Sequence, residues 1–480
     1  MKENYVYYED FGAVGDGVTD DFDAIVACHE YANRHGIAVR AKDTAIYYIG
    51  GKAQHAVIKT DVDFGKAKFI IDDRQAEDRE EQVFVIESDF DSFPIRLSAL
   101  KRTDKQVDFP HEGRVMVNVE NDGQRIFIRE GLNQNNGAPQ HEVFIVDENG
   151  NIETTLNWDY EKISSATAKR VDDEPIIVKG GVFTTIANQA PAFYTYYFRG
   201  IKVSRSNVTV CDMEHYVEGE GDTGAPYYYF IGVYDAYNVT LKNLLLTPRF
   251  TYKTPSSVPG KEVSMGSYDL AGGNSVKISL ISIRQTRDIM DRRYWGLIGT
   301  NYCKEFYIDG CVMSRFDAHQ GATDVTIKNS AFGHQSLNLI GHGSFLIENS
   351  TVFGRSFINL RRDYGCHWDG TVTVRGCTWK PDSSGELTVI AASNPGQHYF
   401  GYDAKMPHRI EIDSLLISDG EFGGATRVFL LPAFAPTPQK DSPYPYAPVN
   451  ELSLGCVKTE SGCAVEIAKF PELYENLIVK

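Results

Sequence analysis

Acidic, basic and imidazole side chains crowd into residues 287–367 in a pattern suited to acid–base chemistry. Three runs succeed one another: Ser314-Arg315-Phe316-Asp317-Ala318-His319-Gln320, then Gly333-His334-Gln335-Ser336-Leu337-Asn338-Leu339, then Gly354-Arg355-Ser356-Phe357-Ile358-Asn359-Leu360-Arg361-Arg362-Asp363-Tyr364. Ahead of them lies Arg287-Asp288-Ile289-Met290-Asp291-Arg292-Arg293-Tyr294-Trp295. Breaking an acetal bond requires a proton donor and a base on its two sides, which carboxyl groups on neighbouring elements can supply. Asp317 with Asp291, Asp288 or Asp363 is the candidate catalytic set. His319, His334 and His342 can orient a water or adjust an acid's pKa. Arg355, Arg361 and Arg362 can grip carboxylate or hydroxyl groups bidentately, with Asn338 adding an amide. Trp295, Tyr364 and Trp368 offer flat faces for stacking.

These groups meet only if the elements carrying them stack. Period-2 alternation puts Arg315, Asp317 and His319 on one face of a strand and Phe316 and Ala318 on the other. Asn359, Arg361 and Asp363 alternate in the same way with Ile358 and Leu360. From residue 200 an internal repeat recurs: Asn207-Val208-Thr209-Val210, Asn238-Val239-Thr240-Leu241, Ser275-Val276-Lys277-Ile278, Glu305-Phe306-Tyr307-Ile308, Asp324-Val325-Thr326-Ile327, Ser344-Phe345-Leu346-Ile347 and Gly370-Thr371-Val372-Thr373. Small or amide residues follow each. Ile308, Ile327 and Ile347 are 19 and 20 residues apart, enough for one coil of three short strands. Stacked coils then repeat at about 4.8 Å, so a face spread over three rungs spans roughly 10–15 Å, the size of a few sugar rings. The Asn-x-Ser/Thr sequons at Asn207, Asn238 and Asn349 fall inside this repeat and read as structural asparagines.

Elsewhere the pattern changes. Residues 10–21, Asp10-Phe11-Gly12-Ala13-Val14-Gly15-Asp16-Gly17-Val18-Thr19-Asp20-Asp21, form a glycine-rich turn whose last residues can cap a helix over 24–36. Residues 73–180 read as antiparallel hairpins with turns at Asn121-Asp122-Gly123 and Glu148-Asn149-Gly150. The expected organisation is an N-terminal cap and first coils (1–72), an inserted β-rich unit (73–180), the main solenoid (181–430), and an extended proline-rich segment with a C-terminal cap (431–480). The aromatic runs at 194–198 and 227–230 suit core or interface packing, with sugar stacking as the alternative.

A net charge of −17 excludes a phosphate-neutralising surface, so no nucleic-acid partner is expected. No run of eighteen apolar residues occurs, so neither a membrane partner nor a span is expected. A cytoplasmic location, or secretion with the leader already removed, follows as the expectation. The eight cysteines form no CxxC pair and read as reduced core residues. Neither metal nor cofactor is expected.

The run over 10–21 resembles the N-terminal signature of pectate-lyase-like proteins, among them polygalacturonase relatives, fructotransferases, some epimerases and phage tailspikes. The resemblance implies an all-β, right-handed parallel β-helix with an N-terminal capping helix and an inserted antiparallel region. In polygalacturonase-like glycoside hydrolases, successive coils carry Asn-x-Asp, Asp-Asp, Gly-His-Gly and Arg-x-Lys motifs. By position Asp288 or Asp291 matches the first acid, Asp317 the paired acids, His334 the histidine coil, and Arg355 or Arg361 the basic coil. Here Asp-Ala-His replaces Asp-Asp, Gly333-His334-Gln335 replaces Gly-His-Gly, and the literal Gly341-His342-Gly343 comes later in its coil, so polygalacturonase activity itself is not assigned. The expected function is cleavage of a glycosidic bond in an oligo- or polysaccharide by an inverting glycoside hydrolase using Asp317. Alternatives are a polysaccharide lyase, a uronate epimerase, a fructan transferase, or a non-catalytic trimeric tailspike-like glycan binder; a homotrimer is compatible with each.

Overall fold

A computed structural model describes residues 5–192, 196–433 and 442–480, with the side chains of residues 423–425 outside the description. Among these residues, 33 strands join into one parallel hydrogen-bonded sheet wound around a single apolar core. It is a right-handed parallel β-helix, each coil adding a strand to three stacked columns. One column runs through Val208–Cys211, Tyr237–Lys242, Val276–Ile281 and the distal half of Ile298–Asp309. The second runs through Glu214–Glu218, Leu245–Leu246, Arg284–Gln285 and Val312–Met313. The third runs through Ile201–Ser204, Ile231–Tyr234, Leu270–Gly273 and the proximal half of Ile298–Asp309.

The repeat is visible in the register, where Val208, Val239, Ile278, Phe306, Val325, Phe345 and Val372 pair in succession. Ile278 takes the position that alignment of the repeat gives to Val276. The reason for the small or amide residues lies at the corner between the first two columns. Asp212, Asn243, Ser282, Gly310, Asn329, Asn349 and Gly376 all take positive φ there, between 47° and 64°, the region that Gly, Asn and Asp tolerate best. Amides also ladder between coils: Asn243 donates to Asp212 (2.6 Å) and Asn329 to Asp309 (2.8 Å). Asn238 donates likewise to Asn207 (2.6 Å). Inside, Ile308, Ile327, Ile347 and Val374 form a fully buried stack, each worth about 1.5–3 kcal/mol of burial.

The helix Phe22–His35 covers the N-terminal end with Phe22, Ile25, Cys28 and Ala32. Asp21 holds the N-cap position, yet its carboxylate turns back to accept the N–H of Val14 (2.6 Å) and of Gly15. Asp20 serves the helix start instead, accepting from Phe22 N at 3.1 Å.

The inserted unit is narrower than 73–180. Phe84–Glu87 and Ile176–Ile186 pair within the solenoid, which leaves an antiparallel sheet of Ser92–Pro94, Val115–Ile126, Ala138–Val146 and Ser165–Arg170. No turn forms at Asn121-Asp122-Gly123. The strand continues through it and absorbs the polar residues as a bulge, the register jumping between Pro139 and Gln140. One face of this sheet makes its own core from Val115, Val117, Val119 and Phe144; the other seats Met116, Val143 and Ile145 on Val276 of the solenoid. At the other end the solenoid runs past 430, because Glu451–Thr459 and Ile478–Val479 still pair in parallel with earlier coils. Of the proline-rich segment, residues 434–441 lie outside the described residues, as do 194 and 195 of the first aromatic run.

Described cysteines are all free, and among the described residues no His/Cys/Asp/Glu cluster is arranged to hold a metal ion. Among the described residues no helix is long and apolar enough to cross a membrane.

Burial pushes His29 and His367 down to about 3, so both rings are neutral in the fold, whereas unfolded histidine titrates near about 6.5. Between those values the unfolded chain binds more protons, and stability rises with pH. The urea midpoint should therefore fall steadily as pH drops from about 6.5 towards 4; a flat midpoint over that window would contradict neutral burial of these rings.

Candidate active site

The third column carries the site. Its outward positions, in register, are Gly232, Ala271, Gly299, Asp317, Asn338 and Asn359. The two glycines sit under aromatic rings: a Cβ would stand 2.6 Å from the Tyr229 ring at residue 232 and 2.9 Å from the Tyr268 ring at residue 299. Between Gly299 and Asn301 the partner strand Phe316–Lys328 carries one extra residue, so Gly299 faces Asp317 while Asn301 faces Gln320. The bulge lies next to His319, which faces the same cavity as Asp317. Phe316 and Ala318 enter the core.

Loops turn the face into a groove. Residues 127–137 of the inserted sheet form one wall, and the hairpin Lys253–Pro255/Glu262–Ser264 forms the other. They touch where Ser257 Oγ donates to the Leu132 carbonyl (3.1 Å). Beneath them is a cavity of about 320 Å³ lined by Tyr196, Tyr228, Tyr268, Trp295, Asn301 and His319, with Arg129, Arg315, Asp317 and Arg361. It shares Arg129, Arg315 and Arg361 with a second cavity of about 580 Å³, which adds Glu130, Arg362 and Asp363. A third, of about 680 Å³, holds His334, Arg355, Asp382 and Glu386, and shares Asn338 and Asn359 with the second. Together they make one groove along the solenoid axis.

Asp317 lies fully buried at its floor. Its carboxylate receives Arg315 Nη2 (2.7 Å), Arg361 Nη1 (2.5 Å) and the Tyr268 hydroxyl (2.6 Å). Burial alone would raise its pKa, but the Arg315 and Arg361 guanidinium groups outweigh that and hold the carboxyl well below the usual range. Arg361 also binds Asp363, through Nε (3.1 Å) and Nη2 (2.7 Å), and Arg129 binds the same carboxylate at 2.8 Å. Against partial burial, Arg361 and Arg129 lower Asp363 as well. One guanidinium thus bridges Asp317 and Asp363, and both stay ionised.

His319 lines the first cavity and makes no ion pair there. Its Nδ1 lies 3.1 Å from Asn301 Oδ1, while Asn301 Nδ2 donates to the Tyr228 hydroxyl at 3.3 Å. A carbonyl oxygen only accepts, so Nδ1 carries the proton and Nε2 keeps its lone pair. Desolvation, then the nearby Arg361, lower its pKa to about 3, and the ring is neutral at ordinary pH.

Of the residues expected from sequence, Asp317, Asp363, His319, Arg361, Arg362, Asn338 and Trp295 converge on the two central cavities. Trp295 is shielded on one side by Arg315, 4.4 Å from its ring. His334 and Arg355 sit in the third cavity, where His334 Nε2 is buried without a partner. Five expected residues need correction. Asp291 lines none of the three cavities and is held by Arg293 (2.6 Å), which takes its carboxyl down to about 2. Asp288 is exposed and accepts from Met290 N within its turn. His342 is buried between Trp158 and His367, where the inserted sheet meets the solenoid. Tyr364 lies buried beneath Arg129 and Arg361, and Trp368 is wholly inside the core, so neither offers a stacking face. Arg129, Tyr268 and Asn301 were missed, because their roles depend on loops and neighbouring coils. Tyr228 was visible only as part of an aromatic run.

Replacing Asp317 by Asn would remove the buried carboxylate that Arg315 and Arg361 share, leaving Arg315 with Gln335 and Arg361 with Asp363. We expect Asp317→Asn to lose about 3–5 kcal/mol of unfolding free energy, measured by urea denaturation at neutral pH. A wild-type value would rule out this counter-ion role.

No protein-family model and no curated protein matches this chain. Among solved structures it is similar to the tailspike gp61 of Pseudomonas phage phi297, at 12% identity over 100% of this chain and 84% of that one, with a TM-score of 0.55. The tailspike gp49 of Pseudomonas phage LKA1 is similar at 11% identity over 99% and 84%, TM-score 0.55. So is Gp54, the tailspike of Acinetobacter baumannii bacteriophage AP22, solved in complex with A. baumannii capsular saccharide, at 10% identity over 99% and 79%, TM-score 0.53. With the column register and the stacked coils, these likenesses identify the architecture as the right-handed parallel β-helix of the pectate-lyase-like fold.

Proposed function

We propose that the groove binds an acidic polysaccharide and cleaves it by β-elimination beside a uronate carboxylate. The observation that carries this reading is the state of the central groups: Asp317 and Asp363 are both tied to Arg361 and ionised, while His319 is neutral with Nε2 open. Hydrolysis by the expected inverting route needs a protonated carboxyl at working pH, and neither Asp317 nor Asp363 supplies one. Elimination needs a base and a cation to stabilise the substrate's carboxylate as charge builds on it. In a chain of net charge −17, the two central cavities gather Arg129, Arg315, Arg361 and Arg362 against Asp317, Asp363 and Glu130. His319 Nε2 takes the proton from the carbon next to the carboxylate, its electron pair becomes a carbon–carbon double bond, and the glycosidic carbon–oxygen bond breaks.

A second reading keeps glycoside hydrolysis. Asp382 and Glu386 face the third cavity near His334, and carboxyls there would cleave without leaving unsaturation. Incubating the protein with acidic polysaccharides and following ultraviolet absorbance separates the two, since only elimination makes the conjugated unsaturated product. We expect that absorbance from wild type, and a loss of about 10²–10⁴-fold in kcat for His319→Ala. New reducing ends without absorbance, abolished in Asp382→Asn, would transfer the reaction to hydrolysis. Binding with no product would make the groove a glycan receptor.

A further inference from the structure

We propose that Tyr228 protonates the departing glycosidic oxygen, and that Asn301 is the positioning residue that sets both Tyr228 and His319 through the two ends of one amide. The inference rests on the elimination reading and adds to it the missing proton donor. Tyr228 lines the first cavity beside His319, and its ring is packed between Tyr196, at 5.1 Å, and Phe198, at 5.0 Å. Its hydroxyl oxygen accepts from Asn301 Nδ2, a bond that does not use the phenolic hydrogen. The other end of the same amide, Oδ1, accepts from His319 Nδ1. Base and acid therefore share one rigid planar group carried by the strand Ile298–Asp309, in the middle of the sheet.

Three other groups around the cavity are already committed. Tyr268 donates its hydroxyl hydrogen to buried Asp317. Guanidinium groups of Arg315 and Arg361 stay protonated in proteins, and here they are engaged with Asp317, Gln335 and Asp363. The proton balance closes without a further reactant. His319 Nε2 removes the proton on carbon, the carbon–oxygen bond breaks as the double bond forms, and the leaving oxygen takes the Tyr228 proton. The imidazolium then returns a proton to the phenolate, directly or through water, and both groups are restored. Overall, one proton has moved from carbon to the new hydroxyl group.

Two measurements test this. Tyr228→Phe keeps the ring and removes the donor, so kcat on an acidic polysaccharide should drop by about 10²–10⁴-fold with KM little changed. Wild-type kcat in Tyr228→Phe would overturn the donor role. Asn301→Ala is read by imidazole nitrogen NMR of the protein without substrate: wild type should show His319 in the Nδ1–H form, and the variant a mixture or the Nε2–H form. An unchanged tautomer would overturn the positioning role. Asn301→Asp should hold the imidazolium and move the acid limb of the kcat profile to higher pH. Were wild type to give no unsaturated product from any acidic polysaccharide, the reaction and Tyr228's part would fall together, while the NMR result would still decide Asn301's part.

Discussion

Parallel stacking in register is the constraint on which everything else rests. Each coil presents its outward side chains directly over those of the coil before, at about 4.8 Å, and cannot slip by one residue without turning its core face outward. The succession Gly232, Ala271, Gly299, Asp317, Asn338, Asn359 is therefore a geometric ladder. Space along it is made by subtraction, where Gly232 and Gly299 make room for the rings of Tyr229 and Tyr268. Walls are then added by loops that leave the coils at their corners. One departure from regular pairing, the extra residue opposite Gly299 and Asn301, falls beside His319.

Within that frame, Asp317 explains the charge arrangement. A buried carboxylate with two arginines is seldom the most stable filling for a core position, since apolar residues of like volume often do as well or better. What it provides is orientation. One carboxylate fixes the guanidinium planes of Arg315 and Arg361, and Arg361 passes the constraint to Asp363, which also holds Arg129. Arg129 belongs to the inserted sheet's loop, and Glu130 N donates to the Asp363 carbonyl nearby. The same chain of ion pairs that arms the groove with positive charge therefore also ties its outer wall to the solenoid.

Architecture was legible in the sequence because its cause is local and repeated. Apolar pairs followed by Asn, Asp or Gly mark a strand and a left-handed corner, and the corner recurs at Asp212, Asn243, Asn329 and Asn349. Alternation likewise separated Asp317 and Arg315 from Phe316 and Ala318. Three kinds of information were not local. Whether an acid is free depends on partners far along the chain, so Asp317 read as an acid although Arg361 and Tyr268 hold it. Whether an aromatic faces solvent depends on what covers it, so Trp368 and Tyr364 read as platforms. Asn121-Asp122-Gly123 has turn chemistry, but a long partner strand turned it into a bulge.

A neutral imidazole with so low a pKa is a weak base in the empty groove, and the causes of that weakness show what would strengthen it. Desolvation and the charge of Arg361 lead the depression, with Arg129 contributing further, and only Asp317 and Asp363 oppose them. An anionic sugar placed against Arg129 and Arg361 brings negative charge to the same spot, which favours the protonated ring and raises its pKa. A neutral sugar brings no such charge. On the proposed reaction, the carboxylate that makes the neighbouring carbon acidic also makes His319 a stronger base, so selectivity for acidic glycans is built into the chemical step as well as into binding.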